Sequence, residues 1–308
     1  MAKIVFFGTP DYVIPVVDRL SQEHKIVAVV TQSPKPMGRK QIKEFSAVDT
    51  WAYKRKIPIY FESAKIIEEK VNADLGVLAS FGQIIPIRVL THFSYGILNI
   101  HPSLLPSWRG ASPIPAALIS EKNSTGVTVI KLDDELDHGP IISKFTEDIL
   151  PDDTTNSLRN RLFDRSAQFL VDLIPSYLDG KIIPKEQNHK EASYTKTLLK
   201  EDGFVPPNYL RAAILGKSLK YKWKVNFIKN TSQPVSPDSI QRFIRAMHPW
   251  PIAWTLVHLT KSDKLTKRLK IKEACLDHHK LVLTEVQLEG KNPVTWAEFK
   301  KGYPESYF

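Results

Sequence analysis

The chain has 308 residues, about twice the length of a typical domain, so one large or two medium domains are expected. Its composition, 42% hydrophobic and 25% charged, is that of a globular protein with a buried core. The single cysteine, Cys275, excludes an intrachain disulfide and a cysteine-ligated zinc site. Neither a membrane-spanning run nor a secretory signal is recognisable, which predicts a cytoplasmic protein that does not enter a membrane.

The net charge of +10 is unevenly distributed along the chain. From Glu201 onward there are 18 Lys and Arg against 10 Asp and Glu, a balance of +8, whereas the first 200 residues carry 25 against 23. The nearly neutral N-terminal part and the basic C-terminal part indicate that the C-terminal part binds a polyanion. A Lys-rich solvated surface would give the same count.

The first half of the chain alternates short β-branched runs with helical patterns. Such repetition predicts a parallel, doubly wound sheet of the Rossmann-like α/β class, with ligands at the carboxyl ends of the strands. For the first helix, either Thr9 or Asp11 is available as the N-cap. The predicted strands are residues 4–7, 26–31, 57–60, 75–79 and 97–100, and the apolar positions of the first helix are Val13, Val16, Val17 and Leu20.

The second half predicts a hairpin, a long helix and a β-rich domain. Two apolar runs flank an acidic loop at 133–139, which is typical of paired strands. After Gly180 the chain becomes polar, as in a linker. We predict a first domain at 1–185, a linker at 186–203 and a small β-rich domain at 204–308. The predicted elements here are hairpin strands at 127–132 and 140–145, helices at 154–178 and 236–247, and strands at 269–271 and 281–283.

The turn after the first strand, Gly8-Thr9-Pro10-Asp11, lacks the glycines of a dinucleotide site. A Gly-x-Gly-x-x-Gly run lets the backbone approach a pyrophosphate, whereas this turn has one glycine and a proline that removes a backbone donor. The sequence therefore weakens the hypothesis of a dehydrogenase.

Asn99 and His101 lie two residues apart at the end of an apolar strand, so both point to one side of the sheet. An amide can donate to a developing oxyanion and a histidine can move protons near neutral pH. Two polar residues that merely end a strand would give the same pattern. The acidic loop 133–139 could supply a carboxylate that orients His101, or it could be a solvated turn.

Three motifs together resemble the folate-dependent formyltransferase family: Asn99-Ile100-His101, Ser103-Leu104-Leu105-Pro106 and Asp137-His138-Gly139. They occur in the family's order and at its spacing. The resemblance implies that Asn99, His101 and Asp137 are catalytic, while His138 lies outside the family pattern. It also implies transfer of a formyl group from 10-formyltetrahydrofolate to an amine without a metal, with Asn99 and His101 stabilising the oxyanion.

The resemblance further implies a folate-binding surface. The apolar stretch 75–86 is similar to the family segment that walls the pterin pocket, where Gly82 would let the backbone approach the pterin edge. A strand that runs into an ordinary turn is the alternative. The expected folate contacts are Ser80, Phe81, Gly82, Ile84, Ile85, Pro86, Ser103, Leu104, Leu105, Pro106 and Asp133.

Three features resemble the members of the family that act on a tRNA: the opening at 6–11, the basic loop at 31–40, and the segments 245–251 and 289–293. This resemblance implies initiator methionyl-tRNA as the partner and a C-terminal OB-like β-barrel. The barrel is expected to be abbreviated, since 259–283 is short for it and 204–235 looks like an insertion. The expected tRNA contacts are Lys35, Arg39, Lys40, Lys43, Arg109, Lys220, Lys222, Arg242 and Arg245.

Two other functions remain open at this point. A formyltransferase acting on an amino sugar nucleotide would keep Asn99, His101 and Asp137 but would need no basic second domain. A catalytically silent tRNA-binding protein on the same scaffold would have no need to keep those three residues. For each of these functions we expect a monomer.

Overall fold

The computed structural model describes residues 1–37, 42–260 and 266–308, which form two compact units. The first unit comprises Met1–Arg109, Ser124–Asp148 and Arg159–Ala192, and the second comprises Gly110–Asn123, Ile149–Leu158 and Ser193–Phe308. The last segment of the second unit therefore begins inside the predicted linker 186–203. Within the described ranges, no helix is both long enough and apolar enough to cross a membrane.

A seven-stranded sheet forms the centre of the first unit. In chain order, the strands up to residue 148 are β1 Lys3–Gly8, β2 Lys25–Val30, β3 Lys35–Met37, β4 Ile42–Glu44, β5 Ile59–Tyr60, β6 Leu75–Ala79, β7 Ile97–His101, β8 Arg109–Gly110, β9 Ser124–Lys131 and β10 Ile141–Asp148. The central sheet has the order β10-β9-β7-β6-β1-β2-β5. Its strands from β7 to β5 are parallel, and β9 and β10 are antiparallel to their neighbours. This architecture confirms the predicted Rossmann-like α/β class.

The inner strands of this sheet are buried on both faces, which explains their continuous apolar sequences. In β1, every residue after Lys3 is buried, and in β7 all five residues are buried. Alternate residues of β1, Val5 and Phe7, enter one core cluster with Phe81, Phe93 and Ile97. Removal of this apolar area from water stabilises the unit by about 25 cal/mol per Å².

The described residues form a series of helices, of which two match the predicted bounds 154–178 and 236–247 to within one residue at each end. In chain order, they are α1 Ile14–Glu23, α2 Ala47–Lys54, α3 Lys65–Glu68, α4 Ile87–Leu90, α5 Pro113–Ile119, α6 Thr155–Leu178, α7 Pro207–Ile214, α8 Pro237–Ala246 and α9 Trp296–Gly302. The long helix α6 and the helix α8 were both predicted. Helix α8 begins with Ser236, whose side chain accepts from the backbone of Ser239.

The predicted N-cap of the first helix is wrong. A 3-10 turn occupies Asp11–Val13, and α1 follows it with Val13 at the N-cap and no side-chain cap bond. Pro15 lies in the first turn and has no N–H, so one donor fewer requires a cap. Thr9 Oγ1 instead donates to the carbonyl oxygen of Phe81, at 3.1 Å.

The second unit contains antiparallel β-structure, as the sequence predicts. Its strands are β11 Tyr194–Thr195, β12 Leu219–Lys224, β13 Ser232–Val235, β14 Ala253–His258, β15 Thr266–Asp277, β16 Lys280–Leu288 and β17 Val294–Thr295. The described residues form a four-stranded sheet, β14-β15-β16-β17, and a separate hairpin, β12-β13. Strands β15 and β16 extend well beyond the predicted cores 269–271 and 281–283. In β16 buried residues alternate with more exposed ones along the extension, whereas in β15 the residues outside 269–271 are exposed or partly buried. Closure into an OB-like barrel stays a prediction.

Candidate active site

Asn99 and His101 lie on β7, between β6 and β9 in the sheet. Asn99 is paired with Leu78 of β6, and His101 is paired with Thr128 of β9. Both side chains are buried, with only 6% and 4% of Asn99 and His101 exposed. Since alternate residues of a strand share a face, the amide and the imidazole lie side by side on one face of the sheet.

Asp137 reaches this pair from the loop between β9 and β10. Its Oδ1 accepts a hydrogen bond from Asn99 Nδ2 at 3.4 Å and lies 3.5 Å from His101 Nδ1. A single carboxylate oxygen therefore contacts both predicted partners, and Asp137 itself is 9% exposed. The structure brings together the three residues that the sequence marks as catalytic, which is the geometry that their proposed roles require.

The two ring nitrogens of His101 have different partners. Nε2 lies 3.1 Å from the carbonyl oxygen of Trp108, and because a carbonyl oxygen only accepts, Nε2 carries a proton. Nδ1 faces Asp137 and can donate toward its carboxylate only when the ring holds a second proton. The positively charged form of His101 therefore satisfies both contacts at once.

The loop after His101 is held by a threonine of the neighbouring strand. Thr128 Oγ1 donates to the carbonyl oxygen of Ser103 at 2.7 Å and accepts from the backbone N–H of Leu105 at 3.0 Å. Ser103 is fully buried, and its hydroxyl donates to the carbonyl oxygen of Ser107. Sequence reasoning missed Thr128, although a hydroxyl inside the apolar run of β9 is the signal that could have identified it.

This burial divides the predicted folate contacts of the Ser103–Pro106 segment. The side chains of Ser103 and Leu105 are buried within the protein, whereas Leu104 and Pro106 are partly exposed. A ligand beside this segment therefore meets the side chains of Leu104 and Pro106. The other two residues fix the path of the backbone.

The predicted pterin-side segment directly follows β6, the parallel neighbour of β7. Phe81 is buried and its carbonyl oxygen also accepts from Gln32 Nε2 at 3.2 Å. Ser80 and Gly82 have positive φ angles of 49° and 74°, so the chain turns sharply here. Beyond the turn, Ile84 is 94% exposed, which leaves an apolar surface at the carboxyl edge of the sheet. Ile85 is partly buried and Pro86 is exposed.

Asp133 is engaged inside the acidic loop. Its Oδ2 lies 2.6 Å from His138 Nδ1, and its Oδ1 accepts from the backbone N–H of Glu135. The His138 ring stacks on the His189 ring with centroids 4.0 Å apart and an interplanar angle of 7°. His138, which lies outside the family pattern, thus helps to shape the loop that carries Asp137.

Arg109 does not fit the predicted contact with tRNA phosphate. The side chain is buried, with 2% of the residue exposed, and its guanidinium donates to Gln187 Oε1 through Nε at 3.2 Å and Nη2 at 2.7 Å. A phosphate in solvent cannot reach it, so the structure corrects this prediction. Gln187, which the sequence assigned to the linker, is the residue that sequence reasoning missed here.

The remaining basic residues of the predicted tRNA surface differ in exposure. Arg39 and Lys40 lie outside the described residues. Arg242 forms an ion pair with Glu121 at 3.6 Å. Arg245 donates to Gln241 Oε1 and to the carbonyl oxygen of Asp153, and burial lowers the pKa of its guanidinium. The exposed members of the set are Lys35, Lys43, Lys220 and Lys222.

A Rossmann-like sheet that carries a buried amide–imidazole–carboxylate cluster, and whose first turn lacks the glycine-rich sequence of dinucleotide-binding proteins, is typical of a group-transfer enzyme. The formyl transferase family model matches residues 2–174, more than half of the chain, and the chain belongs to that family. This confirms the resemblance that the three motifs indicate. Within the described ranges, no group of three His, Cys, Asp or Glu side chains is placed to hold a metal ion.

Relatives of known name and structure span nearly the whole chain. The methionyl-tRNA formyltransferase of Bacillus cereus is 31% identical, over 98% of this chain and 96% of the relative. The structure of methionyl-tRNA formyltransferase from Clostridium thermocellum is similar, with a TM-score of 0.56 at 17% identity, over 94% of this chain and 99% of that one. HypX from Aquifex aeolicus, solved in complex with tetrahydrofolic acid, gives a TM-score of 0.59 at 15% identity over 98% of this chain and 48% of its own.

Proposed function

We propose that this protein transfers the formyl group of 10-formyltetrahydrofolate to the free amino group of initiator methionyl-tRNA. The observation that carries the proposal is the contact of one oxygen, Asp137 Oδ1, with both Asn99 Nδ2 and His101 Nδ1. All three side chains come from one chain, so we propose that a monomer is the active form. A cytoplasmic location follows, because translation supplies the tRNA substrate there.

Folate supplies the activated formyl group when it is bound. The reaction forms a bond from the substrate nitrogen to the formyl carbon and breaks the bond from that carbon to N10. The attacking amine loses one proton, and N10 gains one. Between these events the formyl oxygen carries negative charge, and the protein accelerates the reaction by stabilising that charge.

Asn99 and His101 are the donors suited to this task. The Asn99 amide has two N–H groups, of which one is directed at Asp137, and the other can donate to the oxyanion. His101 lies on the same face of the sheet, and in its positively charged form it adds a charge beside the oxyanion, while its two N–H groups donate to the Trp108 carbonyl oxygen and to Asp137. Removing one donor of this kind typically costs 10²–10³-fold in kcat, about 3–4 kcal/mol.

Asp137 keeps the two donors in a fixed relation. Its contact with Nδ1 orients the ring of His101, and its contact with Nδ2 orients the amide of Asn99. Because the three side chains are buried, little solvent reorganisation is required as charge develops. This prearrangement is what makes the cluster suitable for acyl transfer.

The residues beside the cluster fit a folate. The pterin ring is flat and largely apolar, with hydrogen-bonding groups at its edge, and the loop after β6 offers the exposed side chain of Ile84 together with a tight backbone turn at Gly82. A Cβ atom at Gly82 would lie 2.6 Å from Gln32 Nε2, so a larger residue would displace the Gln32 side chain and would be strained at the positive φ of this position. Together with Leu104 and Pro106, this loop supplies the apolar walls that the co-substrate requires.

The second unit carries a basic strand that suits a tRNA backbone. Between Asp202 and Asp238 the sequence has six Lys and Arg and no Asp or Glu. In β12, Lys220, Lys222 and Lys224 alternate along the strand and are all exposed. Beyond the register shift between Leu219 and Lys222, Lys222 and Lys224 lie on one face about 6.7 Å apart, a spacing that lets successive lysines reach successive phosphates.

An amino sugar nucleotide is the alternative substrate. It would use the same cluster but would make no use of a strand of exposed lysines. The near-complete coverage of a relative named for methionyl-tRNA favours the tRNA.

One assay separates these possibilities. The purified protein is incubated with 10-formyltetrahydrofolate and methionyl-tRNA, the tRNA is deacylated, and formylmethionine is measured. We expect product with aminoacylated tRNA and none with free methionine, because the lysines of the second unit contact only the nucleic acid. Absence of product, together with turnover of an amino sugar nucleotide, would replace the proposal by the alternative.

A further inference from the structure

A buried arginine and glutamine lie beneath the loop that carries Asp137. We propose that Arg109 and Gln187 are positioning residues that set the backbone of this loop and thereby the place of the Asp137 carboxylate. This inference rests on the proposed function, because it assigns to the pair a part in the same reaction.

The Gln187 amide holds three consecutive residues of the loop. Its Nε2 lies 2.9 Å from the carbonyl oxygen of Asp137, 3.0 Å from that of His138 and 2.8 Å from that of Gly139. The amide group has two hydrogens, so at least one of them is shared between two carbonyl oxygens. Gln187 is 5% exposed, and water does not replace these bonds easily.

Arg109 determines which way the Gln187 amide points. A guanidinium group only donates, and two of its nitrogens contact Gln187 Oε1. Rotation of the amide by 180° would place its NH₂ against the guanidinium and its oxygen against three carbonyl oxygens. The positive charge of Arg109 thus leaves a single orientation, in which every donor faces an acceptor.

Arg109 is itself held from a second side. Its Nη2 lies 2.8 Å from His189 Nδ1, which must accept because the guanidinium has no lone pair to offer. The His189 ring stacks on the ring of His138 in the Asp137 loop. The loop is therefore connected to Arg109 twice, through the Gln187 amide and through the stacked rings.

The path of the loop explains why such support is required. The backbone N–H of Leu132 donates to the carbonyl oxygen of Ile97, so the loop leaves the sheet beside the start of β7. It must then return along β7 to reach Asn99 and His101. On the way, Asp137 adopts φ 49°, a left-handed conformation that the surroundings must enforce.

Catalysis depends on this placement because the contacts of Asp137 are at the limit of hydrogen bonding, 3.4 Å to Asn99 and 3.5 Å to His101. A small displacement of the backbone breaks both contacts together. Misplacement of a reacting group by about 1 Å costs about 10²-fold in rate. Substrate binding depends on other parts of the site, so kcat and KM should respond differently.

Gln187→Glu is the informative substitution. The carboxylate keeps the length of the side chain and forms an ion pair with Arg109, but it offers no donor to the three carbonyl oxygens. We expect a lower unfolding midpoint with the fold retained, because three buried carbonyl oxygens lose their donor, together with unchanged KM for both substrates and a kcat lowered about 100-fold. Asn188→Asp is the matched control, because Asn188 is the exposed neighbouring amide and bonds only Glu191.

Amide hydrogen exchange of residues 133–140 provides a readout that does not depend on activity. Gln187→Glu should accelerate exchange in this segment, and Asn188→Asp should not. If Gln187→Glu fails to fold, Arg109→Lys replaces it, since a single ammonium group cannot fix the amide as the guanidinium does. For Arg109→Lys we expect the same pattern with a smaller loss of kcat.

The outcomes are distinguishable. A wild-type kcat in the substituted protein, a change confined to KM, or unaltered exchange in 133–140 would each overturn the positioning role. A wild-type protein that formylates no methionyl-tRNA would refute the proposed function instead, and the exchange experiment would still decide whether Gln187 holds the loop.

Discussion

Asp137→Asn is the substitution that tests the proposed cluster most directly. Asparagine has nearly the shape of aspartate and tolerates the left-handed backbone conformation that Asp137 adopts, so the loop should keep its path. The carbonyl bonds from Gln187 involve only the backbone of Asp137 and also persist. What is lost is the negative charge beside His101.

The structure gives a magnitude for that loss. Two unit charges 3.5 Å apart, the distance from Asp137 Oδ1 to His101 Nδ1, attract each other by about 5 kcal/mol at an effective dielectric constant near 20. Only 5% of the His101 side chain and 10% of the Asp137 side chain are exposed, so solvent screens this attraction weakly. Since 1.36 kcal/mol corresponds to tenfold in rate, a loss of this size lowers kcat by about 10³- to 10⁴-fold.

The assay is formylmethionine production at saturating concentrations of both substrates. Asp134→Asn serves as the control, because Asp134 is an exposed carboxylate of the same loop and should give the wild-type rate. Thermal unfolding of both variants shows whether the fold is retained. An Asp137→Asn enzyme that is folded and keeps its kcat would refute the electrostatic role of the carboxylate.

Three further predictions concern other parts of the chain. Replacing Lys220 and Lys222 by Gln should make the plot of log tRNA affinity against log salt concentration less steep, by about one unit of slope for each lysine. An unchanged slope in a salt titration would contradict contacts between these lysines and phosphates. Thr128→Val should lower the free energy of unfolding by about 2–4 kcal/mol in a denaturant titration, because the buried Ser103 carbonyl and Leu105 N–H lose the hydroxyl that bonds both of them. An unchanged free energy of unfolding would mean that other groups take over these two hydrogen bonds. Burial, followed by the positive amino terminus, lowers the pKa of His24. The free energy of unfolding should therefore be highest at pH above about 6.5 and should fall as the pH drops and the buried ring must take up a proton. His24→Gln should flatten this pH dependence, and identical pH profiles of the two proteins would exclude His24 as its cause.

The parts of the fold that the sequence predicts are those determined by local periodicity. The helix α6 has the apolar periodicity of a helix, whereas the short apolar runs of the buried parallel strands and of the hairpin of β9 and β10 are assigned to strands by their length and β-branched residues. Asn99 and His101 could be recognised in the same way, because two polar residues at period two are unusual at the end of an apolar strand. The residues that cap helices depend on single hydrogen bonds rather than on a periodic pattern, and the cap of α1 was therefore predicted wrongly.

The support of the site could not be predicted, because it depends on contacts between distant residues. Gln187 lies 50 residues from Asp137 and 78 from Arg109 along the chain, and it follows a stretch whose composition is that of a linker. Nothing local distinguishes a glutamine that bonds three carbonyl oxygens from one in solvent. Only the return of the loop along β7, a feature of the sheet topology, brings the two segments together.

The distribution of charge shows why counting basic residues is a poor guide to a nucleic-acid surface. Three of the nine residues predicted to contact tRNA are arginines whose guanidinium groups are engaged within the protein: Arg109 with Gln187, Arg242 with Glu121 and Arg245 with Asp153. Arginine suits such sites because its planar donors remain charged when buried. The lysines of β12, by contrast, are exposed, and the surrounding sequence contains no acidic residue. The salt dependence of tRNA binding should therefore follow the exposed lysines, while substitution of Arg109 should affect the chemical step.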